Sequence, residues 1–120
     1  TGNAADFGDL SAAKNYLAGT SSSVRALFGG GSTPTLLNVI EYVTIASTGD
    51  VTDFGDLTAV NETMSAAASS TIGLFMGGTG QTDRCEKVTI GSTGNASDFG
   101  NLTVGRGTGA GASTAHGGIA

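Results

Sequence analysis

Ten residues recur three times in this chain, as TGNAADFGDL at 1–10, TGDVTDFGDL at 48–57 and TGNASDFGNL at 93–102. Each copy carries side-chain oxygens at three-residue intervals: Asn3, Asp6 and Asp9; Asp50, Asp53 and Asp56; Asn95, Asp98 and Asn101. Carboxylate and amide oxygens in this density suit a hard cation, and calcium tolerates irregular ligand geometry. Asp50, Asp53 and Asp56, the copy with three carboxylates, are therefore the candidate calcium ligands. Their spacing matches neither an EF-hand loop nor the Gly-rich nonapeptide of calcium-binding β-helices. The competing reading is mechanical and needs no cofactor. Asp6, Asp53 and Asp98 would cap a turn, and Gly8, Gly55 and Gly100 would supply positive φ. Phe7, Phe54 and Phe99 would bury between neighbouring units, each contributing about 1.5–3 kcal/mol.

Asp-Phe-Gly also holds a metal in protein kinases, but there it occurs once, beside a Gly-rich loop, a strand lysine and a catalytic loop. None of those partners is present, and a triplet repeated three times marks a scaffold. The chain has one histidine, His116, and one cysteine, Cys85. A Cys/His zinc set and an intrachain disulfide are thus excluded, and Cys85 is expected to be a buried thiol. No signature of a Ser-His-Asp triad accompanies His116. GGGST and GGTGQT lack the lysine of a phosphate-binding loop. Three Asn-x-Ser/Thr sites, at Asn61, Asn95 and Asn101, read as incidental. No catalytic residue is assigned, and the chain reads as a non-enzyme.

With 120 residues the chain forms one domain. Its net charge is −5 and its five basic residues are scattered, which removes the electrostatic footprint of nucleic-acid binding. No apolar run approaches the roughly 18–20 residues of a membrane-spanning helix. Twenty-one glycines and no tryptophan point to thin, closely packed layers of strand backbone.

The repeat extends well beyond the decapeptide. Residues 1–31 and 48–78 are identical at 14 of 31 positions. SSSVRALFGGG at 21–31 aligns with ASSTIGLFMGG at 68–78, and VIEYVTIAS at 39–47 with RCEKVTIGS at 84–92. The units are 1–47, 48–92 and 93–120, the third incomplete. LSAAKNYLAG could be a short helix alone, but its third counterpart, LTVGRGTGAG, holds four glycines, each costing about 1 kcal/mol in a helix. An extended strand is expected instead. VIEYVTIAS alternates as a strand, with Val43 and Ile45 on one face and Tyr42 and Thr44 on the other. Glycine pairs Gly30-Gly31 and Gly77-Gly78 end the preceding apolar strand, where backbones must approach closely. Each unit thus yields four short strands, the content of one propeller blade. The fold expected is all-β, with tandem blades of four antiparallel strands forming a partial or multi-chain propeller. A β-solenoid is the alternative.

Apolar strand, Gly-Gly, turn, EYVTI strand and DFGDLT resemble a kelch-type blade, with Gly30-Gly31, Gly77-Gly78 and Tyr42 at matching places. The chain departs from that pattern in lacking a tryptophan after the third strand and in having Lys87 for the aromatic. It resembles still more the repeat arrays of tail-fibre and other structural proteins of tailed bacteriophages. That resemblance covers the whole chain and implies an extracellular virion protein used for structure or host attachment, with cell-surface glycans met by loops 32–37 and 79–83. A bacterial cell-surface module and a polysaccharide-degrading propeller enzyme are the alternatives. Fewer than three units cannot close a propeller. Either the chain is a piece of a longer array, or copies close a ring together as a homo-oligomer, a trimer being favoured, or with other virion proteins. In the ring, HGGIA at 116–120 would pair beside DFGDL of the next copy.

Overall fold

The computed structural model describes residues 1–112, so the expected pairing of 116–120, and His116 itself, lie outside the described residues. The strands are β1 (Ala18–Ser21), β2 (Arg25–Gly29), β3 (Ser32–Thr33), β4 (Thr35–Leu36), β5 (Val39–Thr44), β6 (Thr52–Asp56), β7 (Ser65–Ala68), β8 (Ile72–Met76), β9 (Arg84–Thr89) and β10 (Ser97–Asn101). The fold is all-β. Two antiparallel four-stranded sheets, β1-β2-β5-β6 and β7-β8-β9-β10, stand beside a small β3-β4 hairpin. Neither sheet closes on itself among the described residues.

The two sheets reproduce one another at the offsets seen in the sequence, 47 residues for β1/β7 and β2/β8 and 45 for β5/β9 and β6/β10. The two-residue difference falls where β3-β4 in one unit is replaced by a 3-10 turn, Thr79–Gln81, in the next. Sheet boundaries and sequence repeats do not coincide. β6 and β10 are the Asp-Phe-Gly segments, so the outermost strand of the first sheet belongs to the second unit, and that of the second sheet to the third.

One apolar layer lies between the sheets. In β2, Leu27 faces the second sheet, and in β8, Phe75 faces back, so that a Cβ added to Gly29 would lie 2.7 Å from its ring. Leu27, Ile40, Phe54, Leu57, Met64, Phe75, Val88 and Ile90 are all buried in this layer. At an inner margin β1 runs beside β7, and their sequences, AGTS and SAAA, contain only small residues, which permits that approach. The expected strand over residues 10–19 is realised only in its last part, as β1. Residues 10–17 instead wind over the sheet, with a single bridge from Asn15 to Ser32.

At Tyr16, Thr63 and Thr108 the backbone takes positive φ, of 56°, 56° and 48°. Thr63 N–H donates to Tyr16 C=O, and Thr108 N–H to Thr63 C=O, both at 2.9 Å. This ladder links all three units. Left-handed backbone at a β-branched residue carries strain, and the strain recurs where the units are tied.

In the second and third copies the Asp-Phe-Gly segment is a strand with a bulge, and the expected turn is not formed; in the first copy residues 6–8 are neither strand nor turn. Glu41 pairs with Asp53 and Ile40 with Gly55, leaving Phe54 unpaired; Glu86, Cys85 and Phe99 repeat the arrangement. The bulge places the Phe54 side chain in the apolar layer and leaves its carbonyl free on the other edge. Gly55 has φ +145°, and a Cβ there would lie 2.5 Å from the carbonyl carbon of Gly94. Gly100 has the same φ but nothing within 4 Å. The two positions therefore separate backbone strain from close approach. Gly100→Ala is expected to cost about 1 kcal/mol and Gly55→Ala about 3 kcal/mol or more, measured as thermal or denaturant midpoints of the two variants.

Candidate functional site

The chemistry-bearing residues of the repeat converge on the passage from one sheet to the next. Gly94 N–H donates to Phe54 C=O at 2.7 Å and Ala96 N–H to Asp56 C=O at 2.7 Å. The first unit makes the same bonds, Gly49 N–H to Phe7 C=O at 2.7 Å and Val51 N–H to Asp9 C=O at 3.0 Å. Side chains close each pair. Asp50 Oδ1 accepts from Asp9 N–H, and Asn95 Oδ1 from Asp56 N–H, both at 3.0 Å. An acid and an amide fill equivalent places because only an acceptor oxygen is required.

Asp50, Asp53 and Asp56 are accordingly not gathered around one point. Asp50 spans to the preceding unit, while Asp53 and Asp56 lie on β6. Among the described residues no group of three or more His, Cys, Asp or Glu is placed to hold a metal ion. Asp6, Asp53 and Asp98 make no side-chain hydrogen bond of the expected capping kind among the described residues; at Asp53 and Asp98 the backbone is strand. Three residues earlier, Asp50 and Asn95 instead latch each copy to the one before it.

Phe54 is 2% exposed and meets Tyr42 edge-on, with ring centroids 5.9 Å apart. Arg25 lies 4.5 Å over the Tyr42 ring and donates to Ile90 C=O at 3.0 Å, joining the sheets. Phe7 and Phe99 depart from the expected burial, at 37% and 57% exposed. They occupy the two outward faces, where no further sheet stands among the described residues. Lys87, which replaces the aromatic, sits 5.6 Å over the Phe99 ring.

Two buried glutamates complete the passage. Glu86 Oε1, on β9, accepts from the Thr58 hydroxyl and, at 3.2 Å, from Thr58 N–H, catching the chain as it leaves the first sheet. Glu41, on β5, accepts from the Ser11 hydroxyl and pairs with Lys14 at 2.9 Å. The alternating pattern of EYVTI and EKVTI gave no reason to expect a buried charge. Aligning Glu41 with Glu86, and Ser11 with Thr58, is the signal that could have found it.

Each glycine pair is met by the following unit. Gly31 N–H donates to Asn61 C=O and Gly78 N–H to Arg106 C=O, both at 2.9 Å. Gly30, Gly31, Gly77 and Gly78 all have positive φ, as the close approach requires. Asn61 is itself buried, its amide donating to Gly77 C=O and accepting from Thr79 N–H, both at 2.8 Å. Buried so, it is not presented for glycosylation.

Several cavities open on the surface. An apolar cavity of about 440 Å³ opens on the outward face of the first sheet, lined by Phe7, Leu10, Leu17, Phe28, Val43 and Ile45 among others. A polar cleft of about 380 Å³ lies between Lys14, Asn15, Ser32, Thr33 and Pro34. Cys85 is buried, as expected, and desolvation, with Asp83 and Asp98 nearby, pushes its thiol pKa up. No protein-family model matches the chain, and no curated protein matches it in sequence.

Asp50→Asn retains the acceptor and is expected to stay within about 0.5 kcal/mol of the parent, whereas Asp50→Ala loses about 1 kcal/mol. If Asp50 served calcium, the asparagine variant would fall as well, and a chelator would lower the parent's melting temperature. The raised Cys85 pKa predicts little thiolate at pH 8, hence alkylation by iodoacetamide that is slow until denaturant unfolds the chain.

Proposed function

We propose that this chain is a non-enzymatic structural and adhesive protein of a virion appendage, assembled from kelch-like blades and acting outside the cell. The observation that carries this reading is the passage between sheets. Each sheet takes its last strand from the next unit, so the units are mechanically serial, as an extended or ring-shaped appendage requires. The two sheets stack with small-residue strands at an inner margin and Asp-Phe-Gly strands at the rim, an arrangement that supports an incomplete propeller over a solenoid. Ring closure by copies of the chain, a trimer being the favoured count, brings about six sheets together, within the usual blade range. No cofactor enters this reading.

Attachment falls to the loops. The β3-β4 hairpin carries Ser32 and Thr33 beside Asn15 and Lys14, with the Ser32 hydroxyl 2.6 Å from Asn15 Oδ1. A cleft edged by hydroxyl and amide groups offers donors and acceptors that a sugar's hydroxyls need. Loop 79–83 presents a second such edge.

Antibody against the chain is expected to label appendages of intact phage particles by electron microscopy and to block their adsorption. Labelling of bacterial envelopes without particles would contradict the virion assignment. The purified protein is expected to bind host surface polysaccharide without shortening it. Ser32→Ala with Asn15→Ala should weaken that binding about tenfold, or about 1.4 kcal/mol.

A further inference from the structure

Arg25 breaks the pattern of the first sheet's inner face. It lies on β2 two residues before Leu27 and so faces the second sheet. At the repeat offset its place is held by Ile72, on β8. An apolar side chain would extend the buried layer to this end of the sheets. The guanidinium instead ends the layer in a cavity of about 320 Å³, set between the β1-β2 turn, the β7-β8 turn and the end of β9. Both sheets supply its walls, so the cavity belongs to the junction between them and to neither outward face.

The floor is polar and incompletely paired. Arg25 Nη1 donates to Ile90 C=O at 3.0 Å, and the guanidinium lies 4.5 Å over the Tyr42 ring. Its other N–H groups meet no acceptor among the described residues. Ser22 is buried, and its hydroxyl oxygen accepts from Val24 N–H and Arg25 N–H, both at 3.2 Å, which leaves the hydroxyl proton to be donated. Around the rim stand the exposed hydroxyls of Ser70, Thr71 and Thr89. No carboxylate lines the cavity among the described residues. The ion pairs there are Lys14 with Glu41 and Arg84 with Glu86, so Arg25 has no acid partner among them.

These groups set the chemistry of an occupant. A guanidinium edge with unclaimed N–H groups matches a carboxylate or a sulfate, either of which accepts two parallel hydrogen bonds. Hydroxyls that both donate and accept suit a polyol carrying that anion. The net charge of −5 opposes loose attraction of polyanions to the surface at large, so an anion that binds needs a local cation. The volume is at the small end of ligand sites and suits one sugar residue, while the exposed rim lets a chain continue past it.

We propose that this cavity binds the acidic group of a surface polysaccharide, a uronate carboxylate or a sulfate ester, with Arg25 as its cation and Ser22 and the rim hydroxyls as hydrogen-bond partners. Arg25 begins β2 and Ser32 follows its end, so the site is separate from the cleft at Asn15 and Ser32. That the anion is carried by a polysaccharide rests on the adhesive reading under Proposed function; that the cavity takes an anion does not.

Isothermal titration with oligosaccharides of equal length tests it, using oligogalacturonate, a sulfated malto-oligosaccharide and its neutral parent sugar. The protein is expected to bind one or both acidic forms, and the neutral form about tenfold more weakly or less. The tighter acidic form identifies the group. Arg25→Gln is expected to lose about tenfold or more in affinity. Arg106→Gln removes an equal charge at the other end of the second sheet, beside Gly78, and is expected to stay within about twofold. Thermal melting checks that Arg25→Gln folds. Should it not, Ser70→Glu places a repelling charge on the exposed rim and is expected to lose binding likewise. The proposal is overturned by a protein that binds neither acidic form, or binds acidic and neutral forms alike. A folded Arg25→Gln or Ser70→Glu that binds as the parent does, or Arg106→Gln falling as far as Arg25→Gln, overturns it too. Host polysaccharide bound through Asn15 and Ser32 with no acidic oligosaccharide bound removes this site and leaves the adhesive reading standing. The reverse pattern supports this site and counts against that reading.

Discussion

The structure depends on one handover, in which the Asp-Phe-Gly strand closes one sheet and is gripped by the leader of the next copy of itself. Three requirements meet at Phe54 and Gly55. The phenyl ring must enter the apolar layer, the carbonyl must face Gly94, and the following residue must let the Gly94 backbone pass at a distance no side chain allows. A bulge with glycine after it meets all three, because the extra residue rotates ring and carbonyl to opposite edges. Local pairing and the link between sheets are therefore one feature.

Much of the composition follows from that constraint. Glycines gather where successive backbones touch, at the bulge and at the pairs received by Asn61 and Arg106. Alanine and serine line β1 and β7 because those strands run side by side. The apolar residues that are almost wholly buried, Leu27, Ile40, Phe75 and Ile90, lie in the one layer between the sheets. Strain at Tyr16, Thr63 and Thr108 persists because a hydrogen bond to the adjoining unit fixes each of these residues.

The repeat made most of the strand content legible. VIEYVTIAS alternates cleanly, RALFG is a short apolar run ended by glycines, and comparison of LSAAKNYLAG with its third counterpart, LTVGRGTGAG, removed the helix. The two-residue difference between units falls in the connection after the glycine pair. Harder to see was which unit owns which strand. Asp-Phe-Gly reads locally as turn chemistry, since Asp and Gly both favour turns, and only long-range pairing with Ile40 and Glu41 makes it a strand. Burial of Phe54 was legible, but the contrast with Phe7 and Phe99 depends on how many sheets flank each copy. Glu41 and Glu86 were missed because a charge in an alternating strand reads as the solvent face.

The architecture is serial, each unit resting on its neighbour. The central claim is that the leader of each Asp-Phe-Gly copy is bound to the copy before it, and native-state hydrogen exchange reads it directly. The amides of Gly49, Gly94 and Ala96 lie in segments without a strand partner in their own sequence unit. The account predicts that they exchange with the protection of the β5 and β9 core amides, opening only in the global transition. Exchange of Gly94 and Ala96 at the rate of free loops, with Tyr42 and Lys87 still protected, would contradict it.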